Sequence, residues 1–335
     1  MPHTSHPYSV PNPPAKPNLF TPTPPSIFES FLTNPILFLA RYIYTHQAPI
    51  APPPSTSPCI RLVCISDTHN SRRRVAQGDV LIHAGDLSVN GSVEEVQRQA
   101  VWLGGLMRRD GREGGGFEHV VVVAGNHDTC LDVTYPSKSH PRTQQRAGVN
   151  WHNITYLQTQ STTLTLRLPN QTRTRTLRIH ASPLTPQYGN WAFQYPHDRN
   201  VWHNTIPVKT DILITHGPPR GHLDFTGTYH AGCAHLLRET WRVKPRVHVC
   251  GHIHCARGVE VLDWGWVQWG YDGVVAGVTK WRWGWRVCVL ALMSLVWMWE
   301  WSSWVILGRK RKGLGWIVNA AIVGDGREEG VVVEI

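Results

Sequence analysis

Short apolar runs closed by glycine, aspartate or histidine set the rhythm of this chain from residue 60 onward. Ile60–Ser66 (IRLVCIS), Asp79–His83 (DVLIH) and His119–Ala124 (HVVVVA) are too short for helices and rich in branched residues. They predict strands buried on both faces. Further strands are expected at Thr163–Leu168, Arg175–His180, Asp211–Thr215, Arg246–Cys250 and Gly258–Leu262, and Gly315–Val323 and Val331–Ile335 close the chain in strand-like composition. Between them, Gly91-Ser92 opens a helix. Ser92 and Glu95 form a capping box, and Val93, Val96, Ala100, Leu103 and Met107 keep helical spacing. A second helix is expected over Cys233–Trp241. Strands interleaved with helices point to two sheets with helices outside them.

Other stretches depart from that rhythm. Residues 1–26 are rich in Pro, Ser and Thr and are expected to be a disordered tail, and residues 47–58 a linker. Phe28–Tyr44 is apolar with aromatic ends and is interrupted by Pro35, so a helix at an interface or packed on the body is expected, not a bilayer span. Residues 264–316 hold eleven of the sixteen tryptophans. Within them Val287–Leu307 is 21 residues with one charge, Glu300, and Arg309–Lys312 (RKRK) follows directly. As a helix it is about 31 Å long, enough to cross a bilayer core. A crossing would, however, leave strands of one domain on opposite sides. A monotopic helix avoids that conflict; a flap packed on the body, or a segment with no folded role, are the plainer readings. The implied division is a tail with a short apolar helix near 28–44 (1–58), a folded body (59–263 with 314–335) and a Trp-rich hydrophobic insertion (264–313).

Composition narrows this further. Apolar residues at 41% and charged residues at 17% exclude wholesale disorder. A net charge of +10 favours anionic partners: phosphate-bearing substrates, nucleic acid or an acidic membrane. No sustained basic stripe lies on an expected element, so nucleic acid is not the expected partner. The seven cysteines form no C-x-x-C pair and read as reduced core thiols of an intracellular protein, cytoplasmic or peripheral on a membrane. The N-terminus lacks the order of a secretory signal, and the sequons at Asn90, Asn153 and Asn170 carry no weight without one.

The nineteen histidines invite a search for metal ligands. Five blocks each follow an apolar strand: Asp67-Thr68-His69, Gly85-Asp86, Gly125-Asn126-His127-Asp128, His216-Gly217 and Gly251-His252-Ile253-His254. Residues at i and i+2 on extended backbone project to one side, so Asp67 with His69, and His252 with His254, can each aim two ligands at one point. Carboxylate, imidazole and amide oxygen without thiolate suit Mn, Fe or Zn at five or six coordination. Seven such ligands are too many for one ion and suit two, about 3.5–4 Å apart, sharing a carboxylate. Singly, each block has a plain reading, a cap, a turn or a satisfied core histidine; together and in this order they do not. A zinc site from Cys250, His252, His254 and Cys255 is the weaker alternative, its spacing being wrong for a zinc knuckle.

With these blocks in order, the sequence resembles the calcineurin-like metallophosphoesterase superfamily, and within it the metallophosphoesterase-domain branch of animals and fungi. SDTHN, DVLIHAGDLS, AGNHD, SPLTPQYGNWAFQYP, DILITHGPPRGHLD and VCGHIH carry the likeness, over about Ile60 to Val261, with WIVNAAIV as a closing strand. Ala181 and Cys250 depart from the branch's usual residues, and neither is a ligand position. The resemblance implies an α/β fold, a four-layer αββα sandwich of two mixed sheets flanked by helices, with two divalent or trivalent ions. It implies Asp67, His69 and His254 on one ion, Asn126, His216 and His252 on the other, and Asp86 on both. His127 is then not a ligand but faces the phosphate, oriented by Asp128. The implied activity is phosphoester hydrolysis, with phosphodiesters the expected class, through attack of a metal-bridging hydroxide.

Around that centre, Ser182–Pro196 (SPLTPQYGNWAFQYP) reads as a rigid loop whose Tyr188, Trp191 or Phe193 either stacks on a planar leaving group or closes a small core. Arg72–Arg74 either attracts anionic substrate or is a solvated run. A rival of a different class is a membrane-peripheral binding or scaffold protein that keeps the fold with little activity, touching a membrane through 264–313 and 28–44.

Overall fold

The structure is a computed structural model that describes residues 26–55, 58–107, 116–135, 148–167, 174–277, 283–322 and 329–335. The expected tail, apart from Ser26, lies outside the described residues, as do Leu168, Asn170 and Val323.

Pro35 splits the first apolar segment in two. α1 (Ile27–Thr33) ends at Asn34, whose side chain then caps α2 (Pro35–Thr45) by accepting from the Leu37 amide. Proline at the first position of α2 loses no hydrogen bond, because that N–H has no partner within a helix. A two-residue strand, β1 (Ile50–Ala51), leads to the body. There follow β2 (Arg61–Ile65), β3 (Val80–Ala84), α3 (Val93–Gly104), β4 (His119–Val123), β5 (Thr155–Leu157), β6 (Gln160–Arg167) and β7 (Thr174–Ser182). Two short strands, β8 (Thr185–Pro186) and β9 (Gln194–Tyr195), precede β10 (Ile212–Thr215), α4 (Ala234–Val243), β11 (Val247–Cys250) and β12 (Gly258–Leu262). The helices α5 (Trp266–Val275) and α6 (Trp283–Leu307) come next, and β13 (Arg311–Lys312), β14 (Gly315–Asn319) and β15 (Val331–Glu334) end the chain.

Two mixed sheets form the middle of an αββα sandwich. One runs β15-β2-β3-β4-β5, parallel except at its β15 edge; the other runs β12-β14-β11-β10-β7-β6, parallel at its centre and antiparallel at both ends. Alternate residues divide the faces. Leu62, Cys64, Ile82 and Val121 meet Ile179, Ile212, Ile214 and Val249 between the sheets. Val63, Ile65, Leu81 and Val120 pack outward against Ala100 and Leu103 of α3. On the far side, Leu236 and Val243 of α4 cover Leu213. Burial on both faces is why these strands read as runs and not as alternation.

Register fixes where the loops emerge. Ile65 pairs with His83 and Ala84 with Val123, while Ile214 pairs with Val249. The strands before Asp67, Gly85 and Gly125, and those before His216 and Gly251, therefore end level. The five blocks leave the C-terminal ends of parallel strands, where open α/β sheets present their sites.

The two apolar segments outside this frame pack on each other. Ala40, Ile43 and Tyr44 of α2 share a core with Val267 and Tyr271 of α5 and Val289 and Met293 of α6. β1 and β13 pair in parallel, Ile50 with Arg311, beside that layer.

Several expectations are corrected. β14 stops at Asn319 because that side chain turns back on the main chain: Nδ2 donates to the carbonyls of Leu223 and Ile253, and Oδ1 accepts from the Ala321 amide. β6 begins at Gln160, three residues before the expected strand, and β5 and α5 had no distinct signal. The seven cysteines are free thiols, but Cys255 and Cys288 are exposed, so "core" describes Cys64, Cys130, Cys233 and Cys250.

Candidate metal centre

Strand ends alone do not aim side chains inward; the backbone just after them does. Asp67, His69, Asp86 and His252 all have positive φ, between 44° and 68°. L-residues seldom adopt that conformation, and its clustering marks a functional site. Two glycines let the loops close up. A side chain on Gly125 would overlap the amide and carboxylate of Asp86, and one on Gly251 would overlap Ser66 and the Asp67 carboxylate.

The result is two groups of ligand-type atoms, Asp67/His69/His254 and Asp86/His216/His252, the atoms within each lying within 4.8 Å of one another. Asn126 joins the second through Oδ1, 3.0 Å from His216 Nε2. Asp86 faces both: Oδ1 is 3.3 Å from His216 Nε2 and Oδ2 is 3.9 Å from His69 Nε2. In the first group His254 Nε2 is 3.1 Å from Asp67 Oδ1. All seven residues named from the sequence thus meet in one place.

The tautomers follow from the other ring nitrogens. Nδ1 of His216 faces the Ala84 carbonyl at 2.9 Å, and Nδ1 of His69 faces the Ser88 carbonyl at 3.1 Å. A carbonyl only accepts, so Nδ1 carries the hydrogen, and in the neutral ring Nε2 presents its lone pair to the centre. Carboxylate oxygens of Asp67 and Asp86 and imidazole nitrogens then converge in two adjacent groups. Such a donor set calls for positive charge at its middle, and its composition fits hard or borderline cations.

Protonation reflects the same demand. Burial would lower the basicity of His216, but Asp86 overrides it and raises the imidazole to about 9. Burial and then the His216 charge push His252 down to about 4. Burial favours protonated Asp67, yet the hydrogen bond from His254 and the nearby imidazoles hold it well below the usual carboxylate range. Asp86 is likewise lowered despite burial, chiefly by His216.

The expected pairing of His127 with Asp128 is not formed. His127 Nδ1 pairs with the Val89 carbonyl at 2.8 Å, not with Asp128, and its amide donates to Asp86 Oδ1 at 2.8 Å. Asp128 is fully buried; it accepts from the amides of Gly125, Leu87 and Ser88 and from the Ser88 hydroxyl. Asp128 ties two ligand loops together and does not orient the ring. Burial and the charge of Asp86 raise it to about 6. Ser88 and Val89, whose carbonyls hold His69 and His127, went unnamed in the sequence although they directly follow Gly85-Asp86-Leu87.

The aromatic loop divides between its two readings. Phe193 is buried with Ala124 and Leu131, closing a core, whereas Trp191 is 37% exposed and lies 4.2 Å from the His127 ring centroid. Tyr188 is exposed. Arg74 pairs with Glu329, and Arg72 is solvated. The cysteine-containing zinc alternative is not formed: His252 and His254 fall in separate groups, and Cys250 is buried with Leu262 and Ile317.

Known proteins resemble this chain over most of its body. The family model for calcineurin-like phosphoesterases matches residues 60–256. A protein of Emericella nidulans called probable rhamnogalacturonate lyase C is 36% identical over 317 residues, covering 92% of this chain and 28% of that protein. Human metallophosphoesterase domain-containing protein 1 is 36% identical over 229 residues, covering 64% of this chain and 65% of that protein. The chain therefore spans less than two thirds of the length of either relative. A solved structure from Thermus thermophilus is 9% identical with a TM-score of 0.37, covering 62% of this chain and 86% of that one. The Emericella match leaves out less than a tenth of this chain, so it takes in part of 264–313 as well.

Proposed function

The chain belongs to the calcineurin-like phosphoesterase family, and from that premise we propose that it is a metal-dependent phosphoesterase with phosphodiesters as its preferred substrates. The observation that carries the reading is the doubled cluster around Asp86, whose two oxygens face His216 and His69. Asp67, His69 and His254 would hold one cation, Asn126, His216 and His252 a second, and Asp86 both. Bound there, Mn, Fe or Zn supplies Lewis acidity toward phosphate oxygens and lowers the pKa of water toward neutrality.

The chain's own residues do the orienting. Donation from Nδ1 to main-chain carbonyls keeps the rings of His69 and His216 from turning. His127 is held the same way at the rim, so its Nε2 is the nitrogen that takes up and releases a proton. From there it protonates the departing oxygen or offers an N–H to the charge that develops on phosphate. Trp191 packs on that ring and leaves an aromatic face beside it for a planar leaving group.

Chelation followed by Mn²⁺ add-back, assayed on bis(p-nitrophenyl) phosphate, tests the reading. Loss and recovery of turnover support it, and full activity after complete metal removal overturns it. Absence of turnover at full occupancy favours a second reading, a membrane-peripheral binding protein with little activity, for which the exposed apolar residues of α6 speak.

A further inference from the structure

The helices α1, α2, α5 and α6 reverse the usual surface rule. α6 is 25 residues long, about 37 Å, and only 17% of its most apolar window is buried. Its inner side packs through Val289 and Met293. Its outer side should be polar in a helix lying against water, yet Leu292, Leu295, Trp299 and Ile306 follow one another there at helical spacing, with Trp299 69% and Ile306 76% exposed. α1, which packs on α2 through Phe31 against Phe38, exposes Ile27 and Phe28, the latter at 70%. The lone acid of the long apolar run, Glu300, is turned inward to Arg311 at 2.6 Å, a guanidinium it shares with Asp263. Exposed Arg309, Lys310 and Lys312 stand immediately beyond the last turn of α6.

We infer that the outer face of α1 and α6 docks onto a lipid bilayer bearing anionic headgroups, with α6 lying in the interfacial plane and not crossing it. Tryptophan with apolar residues on one face and a basic cluster at the edge is the pattern of a helix seated at headgroup level. Charge complementarity selects the occupant: three exposed cations with no carboxylate partner among the described residues stand beside the apolar stripe, suit an anionic leaflet and would repel their own copies in a symmetric pair. The tethers select the orientation. Gly308–Lys310 alone separate α6 from β13, which is paired to β1, and three residues reach about 11 Å. The hydrocarbon core is about 30 Å thick. The other half of α6 is likewise held, from Val289 onward, by packing against α2 and α5. Both ends stay with the body, so the helix meets lipid sideways.

Flotation of the purified full-length chain with vesicles tests this without reference to catalysis. Phosphatidylcholine vesicles with added phosphatidylserine should carry the protein, and salt should weaken the binding. Leu295→Glu with Trp299→Glu should lower partitioning at least about tenfold; Ile306→Glu, on the last turn, serves if that pair fails to fold. Arg309→Gln, Lys310→Gln and Lys312→Gln together should cost about a hundredfold, confined to the anionic vesicles. Failure to float with either vesicle overturns the proposal, as does binding indifferent to these substitutions. A stable dimer that Ile306→Glu dissociates also overturns it, because the face then belongs to a second copy.

Discussion

Two clusters that join histidine to more than one carboxylate stand apart among the described residues, and one of them looks like a site. At the centre between the sheets, His69 and His216 spend Nδ1 on main-chain carbonyls and turn Nε2 toward the Asp86 carboxylate. In the other cluster His222 uses both nitrogens on carboxylates, Nδ1 on Glu260 at 3.0 Å and Nε2 on Asp272 at 2.8 Å. Around it, Tyr44 donates to Glu260 and the Trp241 indole donates to Asp272. There the Asp272 oxygens and Glu260 Oε1 each face a donor, and both ring nitrogens of His222 are used within the cluster. At the centre the acceptors outnumber the protons, and the cluster stays open to a cation. Residue type is the same in both; what differs is where the second ring nitrogen goes.

Breaking each cluster should therefore fail differently. Asp86→Asn should reduce turnover on the order of a thousandfold or more, because both halves of the open cluster lose their shared charge, and metal analysis should show lowered content in a folded protein. His222→Ala should do the reverse: unfolding in urea should reveal a loss of about 3 kcal/mol, since Asp272 is left buried and Glu260 half-buried without a counter-charge, while turnover of the folded fraction persists. His127→Ala should lower kcat about a hundredfold with metal content unchanged, which separates rim from centre. The smallest effect is a slope. The two carboxylates raise His222 above its ordinary value although burial opposes them. Its stabilising contribution is then complete below about pH 6.5 and is lost as pH rises through the raised folded value. Stability of the native chain should decline through the alkaline range by an increment that His222→Ala lacks.

The contrast also explains what could be read in advance. Strands buried on two faces announce themselves as runs such as HVVVVA, and Ser92 with Glu95 marks the start of α3 without tertiary help. The seven centre residues were legible because each lies within four residues of the end of its strand, so chain order stands in for position. Ser88 and Val89 were not, since they act through main-chain carbonyls, which any residue type supplies. Asp128 was misassigned because adjacency to His127 in sequence says nothing about which way a buried carboxylate points. His222, Glu260 and Asp272 lie on separate elements with no local motif, and only packing brings them together. The same holds for α2 against α5 and α6, two distant apolar stretches whose partnership is tertiary.

The place of β14 has a consequence for how the protein is made. It sits between β12 and β11, inside its sheet, and β15 pairs with β2 at the start of the body. Both are translated after α6. A nascent chain emerging from the ribosome must therefore carry a 25-residue apolar helix in the open while neither sheet has its full set of strands. Growth of the polypeptide at about 5–20 residues per second makes that interval last on the order of a second or more. During it, chaperones that shield apolar helices have their substrate, and a stop codon placed just before β14 would release a chain that cannot complete either sheet.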